Sequence, residues 1–121
     1  MVLNQDEKDI RWEELATIVK AMAHPVRLLI LDELCKGAKC VTDVQQIVDV
    51  SQPNLSQHLS ALKRAQLIGS HANGPLRCYY LLRPSLVKRL LRELKKEHPI
   101  SVRPREVVIQ EVQLGKMKSG K

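Results

Sequence analysis

Residues 51–62, SQPNLSQHLSAL, constrain what this chain can fold into more than any other stretch. They carry their own helix-starting signal. Ser51 can accept a hydrogen bond from a first-turn N–H, and Pro53 falls where a missing N–H costs little. Leu55, Leu59 and Leu62 recur at i, i+4 and i+7, one apolar stripe that must face a core. Gln52, Asn54, Ser56, Gln57 and Ser60 lie largely off that stripe. Amides and hydroxyls of this size can reach base edges in a DNA major groove. The same pattern also describes an ordinary capped surface helix, so the surrounding sequence decides between the two.

Upstream, residues 7–21 place Ile10, Leu15, Ile18 and Val19 among charges, which predicts a first amphipathic helix. Ala23-His24-Pro25 breaks it, with His24 placed to cap and Pro25 at the next helical start. Residues 26–36 are apolar around most of their circumference, so this second helix should be central and buried, and Gly37 should end it. Thr42-Asp43-Val44-Gln45 has the form of a capping box and opens a short third helix ending near Val48. Asp49-Val50 then turns tightly into the helix at 51–65. A short helix, a tight turn and a second helix make a helix-turn-helix.

Downstream the periodicity changes. Residues 67–71 and 76–82 read as two strands joined by a hairpin turn at Ala72-Asn73-Gly74-Pro75. A hairpin directly after a helix-turn-helix is a wing. Residues 85–97 predict a last helix with Leu86, Leu90, Leu91 and Leu94 on one face, opposite Lys88, Arg89, Arg92, Lys95 and Lys96. The fold class is therefore mainly α with a β-hairpin wing: a winged helix-turn-helix domain over residues 1–97. In the tail, 98–121, REVVIQEVQL alternates as a short strand would, and the final GKMKSGK has the composition of a disordered end.

Hydrophobic residues make up 44% of the 121 and aromatics only 2%, with no Phe, so the core must be built from Leu, Val, Ile and Ala on helices. The formal charge of +7 favours a polyanionic partner, nucleic acid before membrane. The start, MVLNQDEKDI, is acidic and polar without an apolar run, so no secretory leader is expected. No apolar run approaches the ~18 residues of a membrane span, so no membrane partner is expected. Three cysteines without a secretory context fit a reducing cytoplasm better than a disulfide framework. No phosphate-binding glycine loop, GxSxG elbow or paired-carboxylate signature is present, so an enzyme is not expected.

The leucine stripe of the last helix has no obvious cover within so small a domain. With Ile10, Leu15 and Ile18 of the first helix, Leu86, Leu90, Leu91 and Leu94 are expected to form a homodimer interface. The alternative is packing of the two helices within one chain. Candidate base contacts to double-stranded DNA are Gln52, Asn54, Ser56 and Gln57, with Pro53 packing against the groove and Ser51 and Ser60 completing the DNA-binding set. Lys63, Arg64, His71 and Arg77 are candidates for phosphate or the minor groove. His58 either packs or meets phosphate, and His98 suits a helix C-terminus.

The segments AMAHPVRLLILDEL, SQPNLSQHLSALKRAQLI and LRCYYLL, in that order and spacing, resemble the ArsR/SmtB transcriptional repressors. The likeness covers roughly residues 7–94. It implies a homodimeric winged helix, built on its first and last helices, that releases an operator when a metal, metalloid or oxidant is sensed. The arsenic-type pattern of the family has a Cys-x-Cys pair at the third helix. Here Cys40 matches the first of the pair, and Thr42 stands at the second. The zinc-type site on the last helix needs an Asp-x-His and a downstream His, where this chain offers Ser85, Lys88, Glu93 and His98 without that spacing.

Three cysteines remain to be placed. Arsenite and soft divalent metals want thiolates. Cys35 and Cys40 flank the Gly37 turn, close enough in sequence to converge on As(III) or to form a disulfide, and Cys78 could join them. Plain core packing is the competing role, above all for Cys78. The expected function is sequence-specific repression relieved by a metalloid, metal or thiol-redox signal. Constitutive DNA binding and a protein-interaction module are the alternatives.

Overall fold

The computed structural model describes residues 10–119, so the predicted start of the first helix at residues 7–9 lies outside it. Helix α1 spans Trp12–Met22, α2 Pro25–Leu34, α3 Val41–Ile47, α4 Gln52–Arg64 and α5 Pro84–Leu94. Strands β1, Lys39–Cys40, β2, Ile68–Asn73, and β3, Leu76–Leu81, form one antiparallel sheet in the order β1-β3-β2. A last helix, α6, spans Arg105–Ser119.

Local chemistry accounts for most of these boundaries. The His24 ring accepts a hydrogen bond from the Val26 N–H at 3.0 Å, and Pro25 opens α2. Gly37, at φ 135, turns the chain out of that helix. Ser51 Oγ accepts from the Asn54 N–H at 3.3 Å to cap α4. At the other end of α4, Leu67 N–H reaches the Leu62 carbonyl and Gln66 N–H the Lys63 carbonyl, both at 3.0 Å. This is the Schellman arrangement, with Gln66 rather than glycine in the left-handed position at φ 58.

The core lies where α2, α3, α4, α5 and the base of the hairpin meet. Ile30, Leu31, Val44, Leu55, Leu62, Leu67, Ile68 and Val87 are almost wholly inaccessible. The Leu55–Leu59–Leu62 stripe is buried as expected. Helix α2 is less enclosed than its composition implied, because Leu29 stays exposed. Its other apolar residues pack inward: Ile30, Leu31 and Leu34 are buried, and Val26 and Leu28 are partly buried against the core.

The structure corrects several boundaries. The third helix starts one residue before Thr42, and its capping carboxylate is Asp43, which accepts from the Cys40 N–H at 3.2 Å. The hairpin turn is only Gly74-Pro75, since Ala72 and Asn73 continue β2. Gly74, at φ 61, takes the glycine-first position of a type II′ turn. Strand β1 was not anticipated. The tail is helical rather than extended: residues 105–114 contain no Pro or Gly, Glu106 suits the first turn, and Val107-Val108-Ile109 breaks strict alternation. Residues 115–119, read as a disordered end, also belong to α6, while 120–121 lie outside the described residues. Every described side chain of α6 is exposed.

Candidate nucleic-acid interface

Helix α4 is anchored by its leucines and turns its other side to solvent. Ser51, Gln52, Pro53, Asn54, Ser56, Gln57 and Ser60 are all exposed along that side, as are Lys63 and Arg64 in its last turn. The cap holds the Ser51 oxygen, which fixes the helix start and leaves Gln52 and Asn54 to project. The preceding turn is held by Gln45, whose Nε2 donates to the Val50 carbonyl at 2.7 Å. The exposed polar face is thus set by the core, by a cap and by one bridging amide.

The wing joins this face through Ser70. Lys63 Nζ donates to Ser70 Oγ at 2.8 Å, and Arg77 donates to the same oxygen at 3.2 Å. Two cations from α4 and β3 therefore converge on one hydroxyl at the base of the wing. His71 is exposed and stacks on Tyr80, with ring centroids 5.3 Å apart. Gly69 is buried beneath that ring: a Cβ there would lie 2.7 Å from Tyr80.

Sequence reasoning missed Arg27. It shares a surface hollow with Ser56, Gln57, Ser60 and Arg64, facing the polar side of α4. Its Nε donates to His58 Nδ1 at 3.1 Å and its NH1 to the Ala21 carbonyl at 3.3 Å. No local motif marks it, because the contact crosses from α2 to α4. His58 packs rather than projecting, with its ring centroid 4.4 Å from that of His24.

Burial, then the neighbouring His24 and Arg27, hold His58 below the ordinary histidine pKa. Accepting from Arg27 at Nδ1 requires that nitrogen to be unprotonated. The unfolded chain is then the better proton binder between the two pKa values. Stability should be full above about pH 6.5 and fall as the pH drops toward the folded value. Melting temperatures measured from pH 7.5 down to 5 should decline, and His58→Asn, which keeps an acceptor for Arg27, should flatten the decline. An unchanged slope in that variant would assign it to other groups.

The cysteines are not arranged as their spacing implied. Cys40 and Cys78 face each other across β1 and β3, with their sulfurs 2.9 Å apart. Cys35 caps the end of α2 and instead lines a hollow with Asp32, Lys88, Leu91, Arg92 and Lys95. Burial and then Asp32 push its thiol pKa up. The thiol–thiol contact with Cys78, followed by burial, pushes Cys40 up as well. Among the described residues no group of three or more His, Cys, Asp or Glu side chains could hold a metal ion.

The expected dimer residues separate into three sets. Leu91 is buried in the core of its own chain beside Val87, so it is not part of an exposed face. Trp12, Leu15, Ile18, Val19, Leu86 and Leu90 instead line a shared apolar groove between α1 and α5. Ile10 and Leu94 are exposed. No helix among the described residues is long and apolar enough to cross a membrane.

A helix-turn-helix carrying a three-stranded wing defines the class: a winged-helix transcriptional regulator. The family model described as bacterial regulatory protein, arsR family, matches residues 24–70. The arsenical resistance operon repressor of Bacillus subtilis is 43% identical over 75 residues, covering 61% of this chain and 70% of the relative. This chain belongs to the ArsR family. Among solved structures, reduced HlyU from Vibrio cholerae N16961 superposes with a TM-score of 0.67 at 28% identity, over 78% of this chain and all of that one. A homodimeric winged helix-turn-helix DNA-binding domain from Mycobacterium bovis gives 0.64 at 27% identity, over 78% of this chain and 87% of its own. The Bacillus subtilis relative is named a repressor, and this chain is a transcriptional regulator of the same family.

Proposed function

We propose that the chain acts as a homodimeric repressor that reads a palindromic operator with α4 and steadies it with the wing. The exposed amide and hydroxyl face of α4, on a helix held rigidly by three buried leucines, carries this reading. Two copies joined through the α1–α5 groove would present two such helices about one DNA turn, roughly 34 Å, apart. The formal charge of +7 and the cations Lys63, Arg64 and Arg77 around that face suit the phosphate backbone.

The contacts divide into two kinds, which mutation separates. Gln57→Ala should cost about 1–3 kcal/mol of operator binding and relax preference at one base pair. Arg77→Ala should weaken all sequences alike and flatten the dependence of affinity on salt. Gel shifts with the chain's own upstream DNA and with scrambled DNA, over a salt series, measure both. Unchanged specificity in Gln57→Ala would remove α4 from the groove.

Release of the operator by a thiol-directed signal is part of the same proposal. Cys40 and Cys78 supply two adjacent thiols, so arsenite or a soft divalent ion would need a further donor from a second subunit. Constitutive binding is the competing reading, favoured by the absence of a three-donor group among the described residues. Adding arsenite, cadmium, zinc or peroxide to the gel shift distinguishes them: release by any of these supports sensing, and release by none leaves constitutive binding.

A further inference from the structure

The first helix of the helix-turn-helix and the wing meet at a pair of thiols. Cys40 is the residue on which α3 starts, and it also ends β1. Cys78 lies at the middle of β3, opposite Cys40 on one side and His71 of β2 on the other. Residues directly opposed on antiparallel strands have Cα atoms about 4.5–5.5 Å apart, within the range that a disulfide spans. The sulfurs are already 2.9 Å apart, so bond formation near 2.05 Å needs a movement of less than about 1 Å. Both side chains are half-buried rather than sealed in the core. Cys35 belongs to a different hollow on α2 and α5.

We infer that Cys40 and Cys78 form a redox modification site, which a hydroperoxide converts reversibly into an intrachain disulfide fastening the wing to the helix-turn-helix. The inference rests on the fold alone and holds whether or not α4 reads an operator. One thiolate attacks the peroxide O–O bond, giving a sulfenic acid and expelling an alcohol or water. The second thiol attacks that sulfur, the S–S bond forms, and the sulfenic oxygen leaves as water. Two thiols are oxidised by two electrons and the peroxide is reduced by two. A dithiol reductant reverses the change by thiol–disulfide exchange. The thiolate is the nucleophile, so the reaction should accelerate as the pH is raised. The bond closes a long loop containing α3, α4 and β2, a constraint that acts mainly on the unfolded chain.

The test is treatment of the full chain with hydrogen peroxide, followed by alkylation, intact mass and non-reducing peptide mapping. The expected result is the loss of two hydrogens, about 2 Da, with a Cys40–Cys78 cross-link and an alkylated Cys35. Cys35→Ser should react as the parent does, while Cys40→Ser and Cys78→Ser should not form the intrachain bond. The oxidised parent should melt about 10 °C higher and return to the original value with dithiothreitol. A cross-link through Cys35, a covalent dimer, or no loss of hydrogen would overturn the assignment. A mapped Cys40–Cys78 bond with no rise in melting temperature would overturn the fastening role.

Discussion

Replacing Leu15 and Leu86 together by glutamate is expected to leave the protein monomeric, with operator affinity reduced by about 100-fold or more. Both leucines are largely exposed in the isolated chain, at 45% and 41%, so the fold of each monomer should tolerate the change. They lie in the α1–α5 groove, and burial of that face against a second copy would take two unpaired carboxylates out of water. A single winged helix then binds one half-site, and the gain from linking two binding modules, about 10²–10⁴-fold, is lost. Light scattering gives the mass, and gel shifts at fixed salt give the affinity. A double variant that keeps a dimer mass would place the subunit contact elsewhere.

Leu55→Ala is the second large effect, and it acts through stability. Leu55 has no accessible surface and sits under the first turns of α4. Truncating such a side chain costs about 2–5 kcal/mol, a substantial part of the roughly 5–15 kcal/mol that holds a domain folded. Its neighbour Ser56 is exposed, and Ser56→Ala should change stability by less than about 0.5 kcal/mol while weakening DNA binding. Urea denaturation and gel shifts on the pair would therefore move in opposite columns: stability for one residue, recognition for the next. Equal midpoints for Leu55→Ala and the parent would contradict the packing of α4.

These paired effects reflect how the two faces of α4 arise. Its cap, its proline and its leucine spacing are local features, so helix, buried stripe and polar face could all be read from residues 51–62 without knowing what surrounds them. The same holds for the His24-Pro25 start of α2, the Gly74 turn and the order of helices and strands that makes a winged helix. In each case the determining interaction spans a few residues, and the side chains near it state the conformation directly.

Other features depend on contacts between residues far apart in the chain, and only the tertiary structure decided them. A strand as short as Lys39–Cys40 has no periodicity to read; it exists because β3 offers it an edge. That pairing sets Cys40 against Cys78, 38 residues away, in place of the nearby Cys35 that spacing alone favoured. Arg27 joined the polar face for the same reason, through His58 on another helix. Leu91 and Leu90 adjoin on one helix, yet the first enters the core and the second lines the α1–α5 groove, because α5 rotates to put Val87 and Leu91 inward. In the tail, a near-alternating run of apolar residues fits a strand or a helix equally over so short a window. Among the described residues no strand pairs with it, and its backbone is satisfied internally as α6. Periodicity and caps determine which segments become elements, whereas burial and side-chain pairing depend on which elements meet.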